Sequence, residues 1–196
     1  MIMFLDSWGA TADEVSSAVI GDDLCADARV IATRCITIAA PPHEVFPWIR
    51  QMGFGRAGWY SYDWIDNLGR KSARRIHHEW QSVESGDRVP AGPMSFIAEG
   101  VNPPHTFVLS ITPRGVRKKL IFTLAYELRP HPDGTRLVTR MRARVDLPGG
   151  RLVERLFLSP GDGIMVRKQL LTLQRIIPLF SELATRPPNG HNRNSL

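Results

Sequence analysis

Cysteine is scarce in this 196-residue chain: Cys25 and Cys35 are its two. They are too few for a disulfide framework and lack the paired spacing of a zinc site. No stretch approaches the ~18 uninterrupted apolar residues of a membrane span. The opening MIMFLDSWGA is too short an apolar run for a signal peptide and has no basic n-region. A G-x-S-x-G nucleophile elbow, a phosphate-binding loop and a dinucleotide fingerprint are all lacking, and Gly53-Phe54-Gly55 is too short to count as one. His77-His78-Glu79 invites a metal reading, but adjacent side chains point apart and no third ligand is evident. The expectation is a soluble, cytoplasmic protein with no cofactor and no metal.

What is present is ordinary in bulk and unusual in one place. Hydrophobic content is 43% and charged content 22%, as in a soluble globular domain. A chain of this length can bury a full core without disulfides or a structural metal. The net charge of +6 is spread out. Its longest basic clusters, Arg70-Lys71-Ser72-Ala73-Arg74-Arg75 and Arg117-Lys118-Lys119, are short and read as solvated faces, so no nucleic-acid partner is expected. The unusual place is Met52 to Gly69, which sets Trp59, Tyr60, Tyr62 and Trp64 among Arg56, Asp63, Asp66 and Asn67. Aromatic rings bring large buried area with polar tips that need partners, a mix that suits a pocket wall. The plainer alternative is a short helix capping a core, with Arg56 and Asp63 paired at its rim.

Along the chain, residues 1–29 form a lead-in, with Thr11 and Glu14 spaced as a capping box. Val30 to Ile38 has strand alternation, and Pro42 suits the first turn of the helix that follows, His43 to Gln51. Pro47 falls inside that helix, close enough to its start to be tolerated. A second short helix is expected from Ser61 to Leu68. Five strands follow, at Asp87–Val89, Met94–Val101, Thr106–Thr112, Lys118–Leu128 and Thr135–Asp146, divided by Pro, Gly and Asn turns. Leu120, Phe122, Leu124, Tyr126 and Leu128 share one face, as do Leu137, Thr139, Met141, Ala143 and Val145. Arg136, Arg140, Arg142 and Arg144 take the opposite face, expected to be wet. After a short apolar helix at Leu152–Leu158, Val166, Leu170, Leu173, Ile177, Phe180 and Ala184 mark the buried stripe of a long helix, Gly163 to Ala184, which Pro178 should kink or divide. Residues 185–196 read as a disordered tail.

The fold expected is α+β: a curved antiparallel sheet wrapped around the long C-terminal helix, with two short helices at the mouth of the cavity between them. This order resembles the helix-grip fold of the START-like (Bet v 1-like, SRPBCC) superfamily, nearest to its polyketide cyclase/dehydrase-like bacterial proteins. The resemblance rests on Thr33 to Pro42, on Glu44 to Gly53, and on Gly55 to Trp64 continuing to Glu79-Trp80-Gln81 and Gly86-Asp87. Trp8-Gly9-Ala10-Thr11 fits as well, and residues 30–184 form the ligand-binding domain it implies. Asp162-Gly163 stand where that group carries bulkier residues, at the cavity's end.

The resemblance implies a cavity for lipids, polyketides or other aromatic molecules, and no particular reaction. The expected ligand-binding positions are Trp48, Gln51, Met52, Arg56, Trp59, Tyr60, Tyr62 and Trp64, with no catalytic residue assigned. Arg56 can hold a carboxylate, phenolate or enolate, or else pair with Asp63 or Asp66. Tyr60 and Tyr62 can act on an enol or simply pack. Asp63 and Asp66 share a helical face, as a carboxylate pair with one raised pKa or, more simply, as a cap or surface ion pair. Three functions follow: a carrier or sensor of an apolar small molecule, without stable membrane insertion; a cyclase or dehydratase; and an interaction module whose cavity its own side chains fill.

Overall fold

Alternating apolar and polar residues between turn signals build a six-stranded antiparallel sheet in the order β1-β6-β5-β4-β3-β2. The computed structural model describes residues 5–111, 119–154 and 159–185. The strands are β1 (Val30–Ile38), β2 (Arg88–Ala91), β3 (Met94–Asn102), β4 (Thr106–Ile111), β5 (Leu120–His131) and β6 (Gly134–Val145). The helices are α1 (Ala12–Ser16), α2 (Pro42–Arg50), α3 (Asp63–Asp66), α4 (Gly150–Val153) and α5 (Ser159–Thr185). The expected Pro113-Arg114-Gly115 turn, the end of the Leu152–Leu158 helix and the tail from residue 186 lie outside the described residues.

Strand β1 has the predicted bounds, and Pro42 opens α2 as expected. Pro47 is the sixth residue of α2, one past the first turn, so the His43 carbonyl loses its helical donor; it lies at an exposed position where water can serve. The second short helix shrinks to the single turn of α3. Helix α5 starts earlier than expected, and Pro178 does not divide it. Its stripe residues Val166, Leu170, Leu173 and Ile177 enter the main core with Trp48, Leu128, Leu137 and Met141. Phe180 remains 36% exposed, its ring edge-on to Trp48 at 5.3 Å.

At the tip of the β5–β6 hairpin, Gly134 has φ 123° and lies so close to β1 that a Cβ would meet the Ile38 carbonyl oxygen at 2.3 Å. That close approach needs glycine. In β3 the register shifts between Ala98 and Gly100, a bulge of the kind that bends a sheet.

The wet arginine face is the expectation the structure overturns. Residues 5–29 lie across the outer face of β1, β6 and β5, where Val19, Cys35, Val108, Ala125 and Val138 form a second apolar cluster with Ala10. The arginines hold this layer down. Arg140, 4% exposed, donates to an Asp22 carboxylate oxygen at 3.0 Å and to the carbonyls of Glu14, Val15 and Ser17. Arg136 grips both carboxylate oxygens of Glu14 at 2.7 and 2.8 Å, Arg142 donates to the carbonyls of Cys25 and Ala26, and Arg144 pairs with Asp27. A bare strand period cannot show this, because the lead-in supplies the acceptors from far away in sequence. The predicted capping box is present: Thr11 and Glu14 bond reciprocally. Both cysteines are buried and free, and burial pushes the Cys35 thiol up to about 12.

The hydrogen bonds from Arg136 draw the Glu14 carboxyl down from 4.5 to about 2. A depressed folded value means stability that is present above pH 4.5 and lost as pH falls toward 2. Glu14→Gln is expected to lower unfolding stability by about 2 kcal/mol at neutral pH, as removal of a charged hydrogen-bond partner does. Denaturant titrations of the two proteins should converge across that acid window.

Candidate functional site

Between the inner face of the sheet and the first turns of α5 lies a cavity of about 580 Å³. Its sheet wall is Phe96 from β3 with Phe122, Leu124 and Tyr126 from β5, the last three on the face that strand alternation assigns inward. The helix wall is Gly161, Asp162, Met165, Val166 and Gln169. The segment from residue 54 to 68 closes it with Phe54, Trp59, Ser61, Ile65, Asp66 and Leu68, and the β2–β3 turn adds Ala91, Gly92 and Pro93. Trp59 meets Phe96 edge-on at 5.4 Å, and Phe96 lies 6.1 Å from Phe122, so three rings form one continuous aromatic wall.

Of the eight positions expected from sequence, Trp59 lines this cavity. The others belong to the surrounding structure. Trp48, Gln51, Met52 and Tyr60 are fully buried. Gln51 is a hydrogen-bond hub, donating to the Tyr60 hydroxyl at 2.5 Å and the Arg75 carbonyl at 3.1 Å, and accepting from the His77 amide at 3.0 Å. Tyr60 has a left-handed backbone, φ 58°, and its ring meets Trp48 edge-on at 6.0 Å. Arg56 donates to the carbonyls of Trp80 and Arg50 at 2.8 and 3.3 Å, so its fork is spent on holding the loop rather than aimed at a ligand. Tyr62 is half-buried at the start of α3, and Trp64 is 74% exposed. The physical reason is periodicity: in an irregular segment consecutive aromatics point in different directions, and no helical or strand spacing sorts them.

The polar atoms of the cavity fall into two sets. Tyr126 donates its hydroxyl proton to Gln169 Oε1 at 2.9 Å, and Gln169 Nε2 donates to the Trp59 carbonyl at 2.8 Å. Asp162 accepts from the buried Arg34 at 2.6 Å; burial raises its carboxyl and Arg34 counteracts that. Gly163 admits this arrangement, since a Cβ there would meet Leu5 Cβ at 3.0 Å and Arg34 at 3.3 Å. Asp66 belongs to neither set. Its two carboxylate oxygens are withdrawn from solvent with no hydrogen-bond partner, and burial, with the neighbouring Asp63 charge, raises it to about 6. Asp63 itself accepts from the Ser72 amide at 3.1 Å and hydroxyl at 2.6 Å. Of the two aspartates, therefore, one is tied and one is left facing the cavity.

Phe122, Leu124 and Tyr126 are readable from the sequence as sharing one face, but no sequence signal tells that Phe96 joins them or that α5 leaves a chamber over them at this end. Gln169 carried a weak signal, a polar residue beside the apolar stripe. Among the described residues no group of three His, Cys, Asp or Glu is placed to hold a metal, and His77 instead stacks on Trp80 at 4.2 Å. No helix among them is long and apolar enough to cross a membrane.

No protein-family model matches this chain, and no curated protein matches its sequence. Solved structures do. The di-domain ARO/CYC StfQ from the steffimycin biosynthetic pathway is 8% identical with a TM-score of 0.52, the match covering 82% of this chain and 54% of that one. This chain thus spans about half of the di-domain protein. Protein NE0264 from Nitrosomonas europaea is 10% identical, with a TM-score of 0.49 over 78% of this chain and 96% of that one. Protein MLL2253 from Mesorhizobium loti is 14% identical, with a TM-score of 0.47 over 76% and 97%. The architecture is the helix-grip fold, as the curved sheet around α5 and the likeness to StfQ show.

An Asp66 value raised to about 6 over 3.8 sets the sign of a stability effect: the penalty is absent below pH 3.8 and complete once pH has risen through 6. Asp66→Asn should therefore stabilise the ligand-free protein above pH 6 by about 1 kcal/mol, after discounting for the solvent that still reaches the residue. Thermal unfolding at pH 8 and pH 4 is the check, with the gain confined to the higher pH.

Proposed function

We propose that this protein binds an apolar, ring-bearing small molecule in the cavity, as a carrier or sensor, and that the ligand bears no negative charge. One observation carries the reading: a cavity of about 580 Å³, walled by the Trp59–Phe96–Phe122 rings, contains an unpartnered Asp66 carboxylate and no Lys or Arg side chain among its described lining residues. Cavities of this size and lining bury most of a drug-sized ligand. A carboxylate on the ligand would meet the unpaired Asp66, whereas an ammonium or hydroxyl would give Asp66 the partner it lacks. This reverses the expectation of an Arg56-held anion. The cavity of about 580 Å³ supports this reading over one filled by the protein's own side chains.

A second reading is an acid–base enzyme, and the same Asp66 favours it. A carboxyl that burial raises to about 6 can hold a proton and deliver it to an enol or alcohol oxygen. The role then falls on Asp66 in place of Tyr60, whose hydroxyl is buried against Gln51 away from the cavity.

Fluorescence titration with anthracene, aminomethylanthracene and anthracene carboxylate tests the binding. Saturable, one-to-one binding of the first two, with tryptophan quenching, is expected. The carboxylate should bind at least ~10-fold more weakly above pH 6, and Asp66→Asn should erase most of that difference. Absence of saturable binding by all three overturns the proposal. Catalytic turnover that disappears in Asp66→Asn while anthracene binding survives selects the second reading.

A further inference from the structure

The segment that closes the cavity has an outer surface of a different kind. Trp64 is 74% exposed, Ile65 49% and Leu68 77%, three large apolar side chains within one turn and its exit. Leu68 is presented from a left-handed backbone, φ 49°, a conformation sparsely populated by residues other than glycine. Immediately after it stand Arg70, Lys71, Arg74 and Arg75, all exposed. No acidic residue occurs between Asn67 and His78. The two aspartates of the turn are directed elsewhere, Asp63 onto Ser72 and Asp66 into the cavity wall. What remains outside is apolar and cationic together.

We propose that this surface, Trp64, Ile65 and Leu68 with Arg70, Lys71 and Arg74, docks the protein on an anionic phospholipid bilayer. Indole and aliphatic side chains favour the headgroup–acyl boundary, and flanking Lys and Arg are drawn to anionic headgroups. The charge complementarity selects this partner over a second copy of the chain, whose identical basic cluster would repel it. Docking is peripheral, in keeping with the lack of a membrane-crossing helix among the described residues. Ile65 and Leu68 also line the cavity, so the docking face and the ligand chamber share these two apolar side chains in continuity. Resting on the proposed ligand binding, that continuity lets an apolar ligand pass between bilayer and cavity without crossing water.

Co-sedimentation with vesicles of phosphatidylcholine alone, and of phosphatidylcholine mixed with phosphatidylserine, tests the docking separately from any ligand. Binding to the mixed vesicles is expected, with a blue shift of tryptophan emission that is lost in Trp64→Ser. Trp64→Ser/Leu68→Ser should cut partitioning at least ~10-fold, and Lys71→Glu/Arg74→Glu at least as much, since each cationic contact contributes roughly 5-fold. Arg175→Glu, on the exposed side of α5, should lose far less. These positions are at the surface, and circular dichroism verifies that each variant is folded. Three results overturn the proposal: no binding to mixed vesicles at low salt, binding that the apolar double variant leaves unchanged, or equal losses in Arg175→Glu and Lys71→Glu/Arg74→Glu. Self-association that depends on Trp64 without vesicle binding would assign the surface to a second copy instead.

Discussion

The continuous pairing of β5 with β6, from Leu120↔Val145 to His131↔Gly134, is the constraint from which the rest of this structure follows. Side chains alternate across a strand, so one register decides at once what both faces of the sheet present. It turns Phe122, Leu124, Tyr126, Leu137 and Met141 inward, and Ala125, Val138, Arg136, Arg140, Arg142 and Arg144 outward. A slip of one residue would place four guanidinium groups in the core and expose the apolar row. Helix α5 on one side and the lead-in on the other are responses to that single arrangement.

The outer layer shows how charge and packing combine. Val138 and Ala125 give the lead-in something apolar to cover, but the covering also buries Arg140. A buried guanidinium is costly unless its donors are met, and here Asp22 and three backbone carbonyls at the end of α1 meet both terminal nitrogens of Arg140, leaving Nε without a partner. Those carbonyls are available because a short helix leaves its last ones without amides, though that of Glu14 also accepts from the Ser17 hydroxyl. The lead-in and the arginine row therefore satisfy each other, and neither is stable as placed without its counterpart.

The inner layer leaves more unmet, a whole carboxylate. Helix α5 seals the sheet from Leu170 onward, and its first turns stand off to leave the cavity. Glycines at 161 and 163 keep that end of the helix slim, while the Arg34–Asp162 pair ties it to β1. Within the chamber Tyr126, Gln169 and the Trp59 carbonyl close a chain of hydrogen bonds on themselves. Asp66 is left over. Its unpartnered carboxylate stands beside the aromatic rings of the chamber, and the same turn that holds it inside carries Trp64 and Leu68 on its outer side.

Local order by itself determined the strands, the Thr11–Glu14 cap, the start of α2 at Pro42 and the apolar stripe of α5. Each of these rests on a period or a cap that a few neighbouring residues define. It also determined which residues of β5 and β6 share a face, and so the three cavity-wall residues that β5 supplies. Tertiary structure alone decided that the arginine face is covered, because its partners lie in the lead-in, more than a hundred residues away. It decided, too, that Gln51, Tyr60 and Arg56 hold the loop while Asp66 enters the chamber, since an irregular backbone sends each side chain where its own φ and ψ direct it. Periodicity sorts residues only where the chain repeats, and at the site it does not.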